Sequence, residues 1–274
     1  MSYYQIAHLP RHLLILLLLL CLIADSTPIH AQEKDWHLVF SDEFNQPNGS
    51  QPDPTKWNRH QRNVSTWARW ISNSERAVYI KKGCLVCRAI PNKYEPEDTA
   101  QMLTGAINTK NKFTFQYGKV EVRMKTNLQQ GNFPAAWMVP LPQPNQPYAE
   151  IDIVETFGTK SEVSHTAHTQ LTQQQAKHGE KNSFRVPIDI TKWHVYSVEW
   201  NDQYIIWSID NHTTGFYQKS HDLNKLSQGQ WTFDIPFYII LNQSIGNGRT
   251  EDLRPQTNKK YETLFDWIRV YQKL

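Results

Sequence analysis

Three carboxylates crowd one short stretch, Tyr148-Ala149-Glu150-Ile151-Asp152-Ile153-Val154-Glu155-Thr156. Successive side chains of a strand alternate between its faces, so Glu150 and Asp152 share one face while Ile151 and Ile153 share the other. Strict alternation would turn Glu155 inward with the isoleucines, where an unpaired carboxylate is costly. A one-residue bulge at Ile153 or Val154 returns Glu155 to the face of Glu150 and Asp152. Like charges in such a row repel, and at least one pKa must rise. An ionised carboxylate with a protonated one about 5 Å away is what retaining hydrolysis of a glycosidic bond requires. Glu150 and Glu155 are about 13 Å apart at Cα on a flat strand, so curvature and long side chains must close the gap. Asp152 lies between them, placed to hydrogen-bond the nucleophile and to modulate both ionisations. The bland alternative, a solvated acidic strand face, does not account for the apolar residues alternating with the acids.

The elements that must hold these carboxylates repeat with period two. Lys119-Val120-Glu121-Val122-Arg123-Met124-Lys125 places three apolar residues on one face and four charges on the other. His194–Trp200, Tyr204–Asp210, Phe237–Asn242 and Asp266–Tyr271 read as further strands, and 201–203 as a hairpin loop. Many short strands with polar turns and no long amphipathic helix predict an all-β sandwich of two large antiparallel sheets. A large curved sheet offers a concave face on which a long ligand can lie. Cys84 and Cys87 fall three apart in one such strand and point to opposite faces, which disfavours a disulfide. A zinc site lacks a second pair.

The 274 residues carry 29 basic and 26 acidic side chains, a net +3 that excludes nucleic-acid binding by bulk charge. Arg11 precedes an apolar run from Leu13 to Ala24, too short for a membrane helix and suited to the core of a secretory signal. Residues 1–31 are therefore expected to be a signal peptide and 32–274 one catalytic domain that is secreted, periplasmic or at the cell surface, without a membrane span. Leu20 stands where a small residue should precede a lipidated Cys21, which argues against a lipoprotein. The 10 Trp, 12 Tyr and 11 Phe exceed what a core of this size needs, so some should serve a ligand.

The chain resembles glycoside hydrolase family 16, retaining endo-β-glycanases with a concanavalin-like β-jelly roll. The resemblance rests on Glu150-Ile151-Asp152-Ile153-Val154-Glu155, Phe40-Ser41-Asp42-Glu43-Phe44 and Thr104-Gly105-Ala106-Ile107-Asn108-Thr109. It continues through Tyr117–Arg123, Phe133-Pro134-Ala135-Ala136-Trp137-Met138 and Asp266–Gln272. It implies Glu150 as nucleophile, Asp152 as assisting residue and Glu155 as general acid/base, in the bulged form of laminarinase-like and galactanase-like members. It implies no required cofactor and no catalytic metal. It leaves a structural calcium open, with Glu43, Gly83 and Asp266 at matching positions.

Substrate-binding candidates are Trp67, Trp70, Trp137, His168, Asn242 and Gln243. Trp67 and Trp70 lie in a loop-like region rich in Asn, Ser and Arg, a mixture that stacks on sugar faces and bonds their hydroxyls. Trp137 matches a cleft position of the family, and His168 matches a His near the acids. Asn242 and Gln243 end a strand within reach of the cleft. Trp193, Trp200, Trp207 and Trp267 are assigned to the core. No Trp precedes the acidic motif as in many β-glucanases; Pro140–Ala149 is Pro-rich instead. The resemblance implies endo-hydrolysis of a β-1,3- or mixed-linkage glucan by a monomer, and this departure from the glucanase pattern keeps galactan-cleaving activity in play. The alternatives are an endo-β-1,4-galactosidase acting on host glycans of the poly-N-acetyllactosamine type or another galactan, and a non-catalytic glycan-binding sandwich. Serine-hydrolase and zinc-protease motifs are missing from the sequence.

Overall fold

The computed structural model describes residues 35–174, 181–246, 248 and 250–273; the expected signal peptide, 1–31, lies outside them. The strands run β1 (Trp36–Asp42), β2 (Asn58–Arg59), β3 (Val78–Lys81), β4 (Cys84–Pro91), β5 (Met102–Asn108), β6 (Gly118–Thr126), β7 (Asn132–Pro140) and β8 (Ala149–Glu155). They continue as β9 (Glu162–Thr169), β10 (Ser183–Pro187), β11 (His194–Trp200), β12 (Tyr204–Ile209), β13 (His212–Gln218), β14 (Phe237–Ile245) and β15 (Tyr261–Lys273). Two helical turns, α1 (Gln170–Gln174) and α2 (Leu223–Ser227), complete the described elements. None of the described helices is long and apolar enough to cross a membrane.

Hydrogen bonding follows one antiparallel path, β10-β9-β8-β7-β14-β5-β4-β15-β6-β11-β12-β13. It folds over between β5 and β4, which are paired at Ala89↔Thr104, so one half of the path lies against the other as the expected two-layered jelly roll. Gly105 stands at this crossing: a Cβ there would lie 2.1 Å from the carbonyl oxygen of Ala77, so no side chain fits.

The alternation read in the sequence is the one that buries the core. In β6, Val120, Val122 and Met124 are buried while the Lys, Glu and Arg between them are half-exposed. They meet Ile151, Ile153 and Val154 from β8 in one cluster, with Trp200 and Trp207 among the largest fully buried side chains. Each such side chain contributes about 1.5–3 kcal/mol or more by leaving water. The two sheets are also joined by polar groups. Gln243 on β14 donates to Asn132 Oδ1 on β7 at 2.8 Å and accepts from Thr263 Oγ1 on β15 at 2.6 Å. Thr263 in turn bonds Thr126 Oγ1 on β6 at 2.8 Å.

Two tryptophans assigned to the core lie outside it. Trp267 follows a break in the β15 register between Phe265 and Trp267, which turns it to the outer face under the Arg269 guanidinium. Trp193 precedes β11 and lies beneath Arg123 and Lys125. Strand membership alone suggested the core for Trp267, whereas within Asp266–Tyr271 it alternates with Arg269 and Tyr271, opposite the buried Ile268 and Val270. Cys84 and Cys87 are free and buried.

Candidate active site

Strand β8 carries the bulge that the acids require. Trp137 of β7 pairs with Asp152 and Ala136 with Val154, leaving Ile153 as the extra residue. On the other side the register shifts between Asp152 and Glu155. Ile151, Ile153 and Val154 all enter the core, and Glu150, Asp152 and Glu155 all face away from it. The carbonyls that the bulge frees find donors inside the sandwich. Trp207 Nε1 donates to Asp152 O at 2.8 Å, and His165 Nδ1 lies 2.6 Å from Ile153 O. Burial pushes His165 down to about 4, so its ring is neutral and donates here through Nδ1. Thr214 Oγ1, at 3.0 Å, partners its Nε2.

The electrostatics separate the acids. Burial, followed by the neighbouring charges of Asp152 and Glu150, pushes Glu155 well above the ordinary carboxylate range, and His168 opposes this in part. Burial and the Glu150 charge push Asp152 well up too. His168, opposite Glu150 on β9, brings Nε2 to 3.1 Å from Asp152 Oδ2 and 3.8 Å from Glu150 Oε1. Burial and mutual repulsion thus favour the protonated forms of Asp152 and Glu155, the form a proton donor needs.

Beside the acids the same face is aromatic. Trp137 stands next to Asp152, with Trp67 edge-on at 4.9 Å and His60 4.7 Å beyond Trp67. Tyr238, Ile240 and Val139 pack with these indoles. A polar groove of about 600 Å³ begins at Tyr238 and His60 and runs past Asn108, Asn58 and Lys110. From β8 to β2 this face crosses four strand spacings, about 19 Å, room for several sugar rings. A larger groove, about 800 Å³, lies far from the acids, around Tyr79, Arg88 and Tyr94.

The structure therefore brings together Glu150, Asp152, Glu155, His168, Trp137 and Trp67, and corrects three of the expected contacts. Gln243 is wholly buried and turned between the sheets, because odd positions of β14 face the core. Asn242, 2 % exposed, holds Trp137 Nε1 at 2.8 Å and acts through that indole. Trp70 lies under Arg69 and packs with Met102, Ile245 and Tyr261, apart from the Trp67–Trp137 pair. Tyr148, His60 and Tyr238 escaped sequence reasoning. Only Tyr148 carried a signal, its spacing of two from Glu150.

Glu43 and Asp266, the carboxylates at the calcium-matching positions, are engaged by arginines. Arg269 bonds both Glu43 oxygens at 2.9 Å and Arg123 bonds Asp266. Among the described residues, the side chains grouped closely enough to share a metal ion are Glu150, Asp152 and His168. The donors present thus do not fit a calcium between Glu43 and Asp266 while the arginines hold them.

Residues 65–268 match the family model for glycosyl hydrolases family 16. The chain is 30% identical over 244 residues to a keratan-sulfate endo-1,4-β-galactosidase of Sphingobacterium multivorum, covering 87% of this chain and 56% of that protein. It is 29% identical to a β-glucanase of Rhodothermus marinus, covering 86% of this chain and 85% of that one. The chain thus spans little more than half of the first relative and most of the second. Among solved structures, SCLam, a non-specific endo-β-1,3(4)-glucanase, superposes with a TM-score of 0.76 at 25% identity, covering 88% of this chain and 92% of that one.

Proposed function

The chain belongs to glycosyl hydrolases family 16, and from that premise we propose that it is an endo-acting, retaining β-glycanase whose substrate is a β-1,3- or mixed-linkage glucan. The observation that carries this reading is the bulged β8, which sets Glu150, Asp152 and Glu155 on one open face with Asp152 and Glu155 pushed towards protonation. Glu150 attacks the anomeric carbon while Glu155 delivers its proton to the departing glycosidic oxygen. The sugar is then held as a glycosyl ester on Glu150. Glu155, now a carboxylate, takes a proton from water, which attacks the same carbon and releases the sugar with its β configuration restored. Asp152, between them and in reach of His168 Nε2, carries the proton balance of the row. Trp137 and Trp67 offer apolar faces to the C–H surface of the sugars.

A second reading, endo-β-1,4-galactosidase action on host-type glycans, is favoured by the relative from Sphingobacterium multivorum and by the Pro-rich segment preceding the acids. The apolar run Leu13–Ala24 supports export of the enzyme. The test compares laminarin, mixed-linkage glucan, agar-type galactan and poly-N-acetyllactosamine, with NMR of the first-formed anomer. A β anomer from laminarin or mixed-linkage glucan, lost in Glu150→Gln, is the expected result. Release from the galactans alone selects the second reading, an α anomer rejects double displacement, and binding without cleavage of any polymer rejects both in favour of a glycan-binding sandwich.

A further inference from the structure

We propose that Tyr148 is a positioning residue for the nucleophile, its phenol fixing the Glu150 carboxylate in the orientation for attack, an inference that rests on the reading of Glu150 as nucleophile. Tyr148 lies two residues before Glu150, the spacing that puts both side chains on one face of an extended chain. Its hydroxyl donates to Glu150 Oε2. Among the described residues, the other charged or titratable groups turned towards Glu150 are Asp152 and Glu155 on its own strand and His168 on β9. From β7 the neighbouring surface is apolar, with Val139 beside Trp137. Two of these groups are acids and His168 Nε2 is 3.8 Å away from Oε1, so the phenol is the neutral donor that holds this carboxylate.

The Tyr148 main chain, which sets the direction of its side chain, is anchored from outside its own strand. The Tyr148 N–H donates to Gln170 Oε1 at 2.9 Å, and Thr232 Oγ1 donates to the Tyr148 carbonyl at 2.8 Å. Gln170 is itself packed beneath Gly229, where a Cβ would lie 2.7 Å from Gln170 Cβ and where φ is +78°. Two segments distant in sequence, α1 and the loop 229–232, therefore converge on the backbone of one tyrosine, although 41% of that residue is exposed. Burial of the hydroxyl, with Glu150 alongside, pushes the phenol's pKa upward, so it stays a donor throughout the working range of an enzyme.

A donor to a carboxylate favours the charged form, and a charge-assisted bond is about twice as strong as a neutral one. Tyr148→Phe keeps the ring and removes the hydroxyl. Against the best substrate, kcat should fall roughly ten- to a hundredfold while KM stays within about twofold. The acid limb of the kcat/KM profile should move to higher pH. In the substrate-free protein, 13C NMR titration of labelled Glu and Asp carboxyls should show the carboxyl titrations of the site displaced in the same direction. A thermal midpoint matching wild type separates this from loss of fold. Unchanged kcat and acid limb overturn the proposal, as does a rise in KM at constant kcat, which would make the ring a sugar-contacting wall. If the wild type cleaves none of the glycans, the functional reading fails separately, and the carboxyl titration still decides: identical curves for Tyr148→Phe and wild type reject the Tyr148–Glu150 linkage.

Discussion

Gln243→Met tests whether Gln243 serves the fold or the substrate. Methionine keeps the length and approximate volume of the side chain and removes its amide. The Gln243 amide donates to Asn132 Oδ1 and to the Ser244 carbonyl, both at 2.8 Å, and its oxygen accepts from Thr263 Oγ1 at 2.6 Å. Thr263 keeps a partner in Thr126, so its hydroxyl can turn to that neighbour. Asn132 Oδ1 loses its described donor in a residue with no exposure to water, and the Ser244 carbonyl loses one of its acceptor contacts. One to two stranded buried groups at about 1–3 kcal/mol each give a loss of about 2–4 kcal/mol. For a domain of this size that corresponds to a fall in Tm of about 5–15 °C. The assay pairs a thermal melt with Michaelis kinetics well below the variant's Tm, on whichever glycan the wild type cleaves. Stability should fall while KM stays within about twofold. A raised KM with an unchanged Tm would refute the placement of Gln243 between the sheets and restore it to the substrate face.

Other consequences are open to equally direct checks. Glu155→Gln should lower kcat by roughly 10²–10⁴ on unactivated glycan. Because the fold raises the Glu155 pKa, its contribution to stability is complete below the unfolded carboxyl value and is lost as pH rises through the folded one. The variant should therefore melt higher than wild type at pH 7–8 and not at pH 4, and a lower melt at both would contradict the burial argument. His60 and His165, both pushed down to about 4 by burial, act in the opposite direction. They hold stability above the unfolded histidine value near 6.5 and lose it as pH falls towards 4, so His60→Gln should shed less stability between pH 6.5 and 4 than wild type does in denaturant titrations. Trp67→Ala should raise KM with a small change in Tm, whereas Trp207→Ala should cost about 3–5 kcal/mol or unfold the chain; equal melting of the two would disprove the division of the tryptophans.

The acidic strand was legible because every part of it follows from local rules. Alternation places Glu150 and Asp152 together, the cost of burying Glu155 demands a bulge, and the structure has that bulge at Ile153. The same alternation yields β6, β11, β12 and the core positions they supply. It gives no answer where both faces of a strand are buried: a run buried throughout, such as β14, leaves its inward side unmarked, and there Gln243 turns between the sheets. For Trp267, membership of a strand is no sign of burial, since its neighbours Ile268 and Val270 take the inner face. Trp70 and Trp67 are three residues apart in one loop, and only the path of that loop sends one to the acids and the other to Met102 and Tyr261.

By itself the sequence determined which acids share one strand face, which strands bury apolar faces and that a bulge must interrupt one of them, since these depend on neighbours within about five positions. Tertiary structure decided what surrounds them. It set Trp207 and His165 under the bulge, His168 beside Asp152, Trp67 over Trp137 and the Tyr148 phenol on Glu150. Most of those partners lie 12 to 70 positions apart, and Tyr148, the near one, is aimed by Gln170 and Thr232 from 22 and 84 positions away. The raised pKa values of Asp152 and Glu155 follow from exclusion of water from the site, and that exclusion exists only once the distant strands have closed around it.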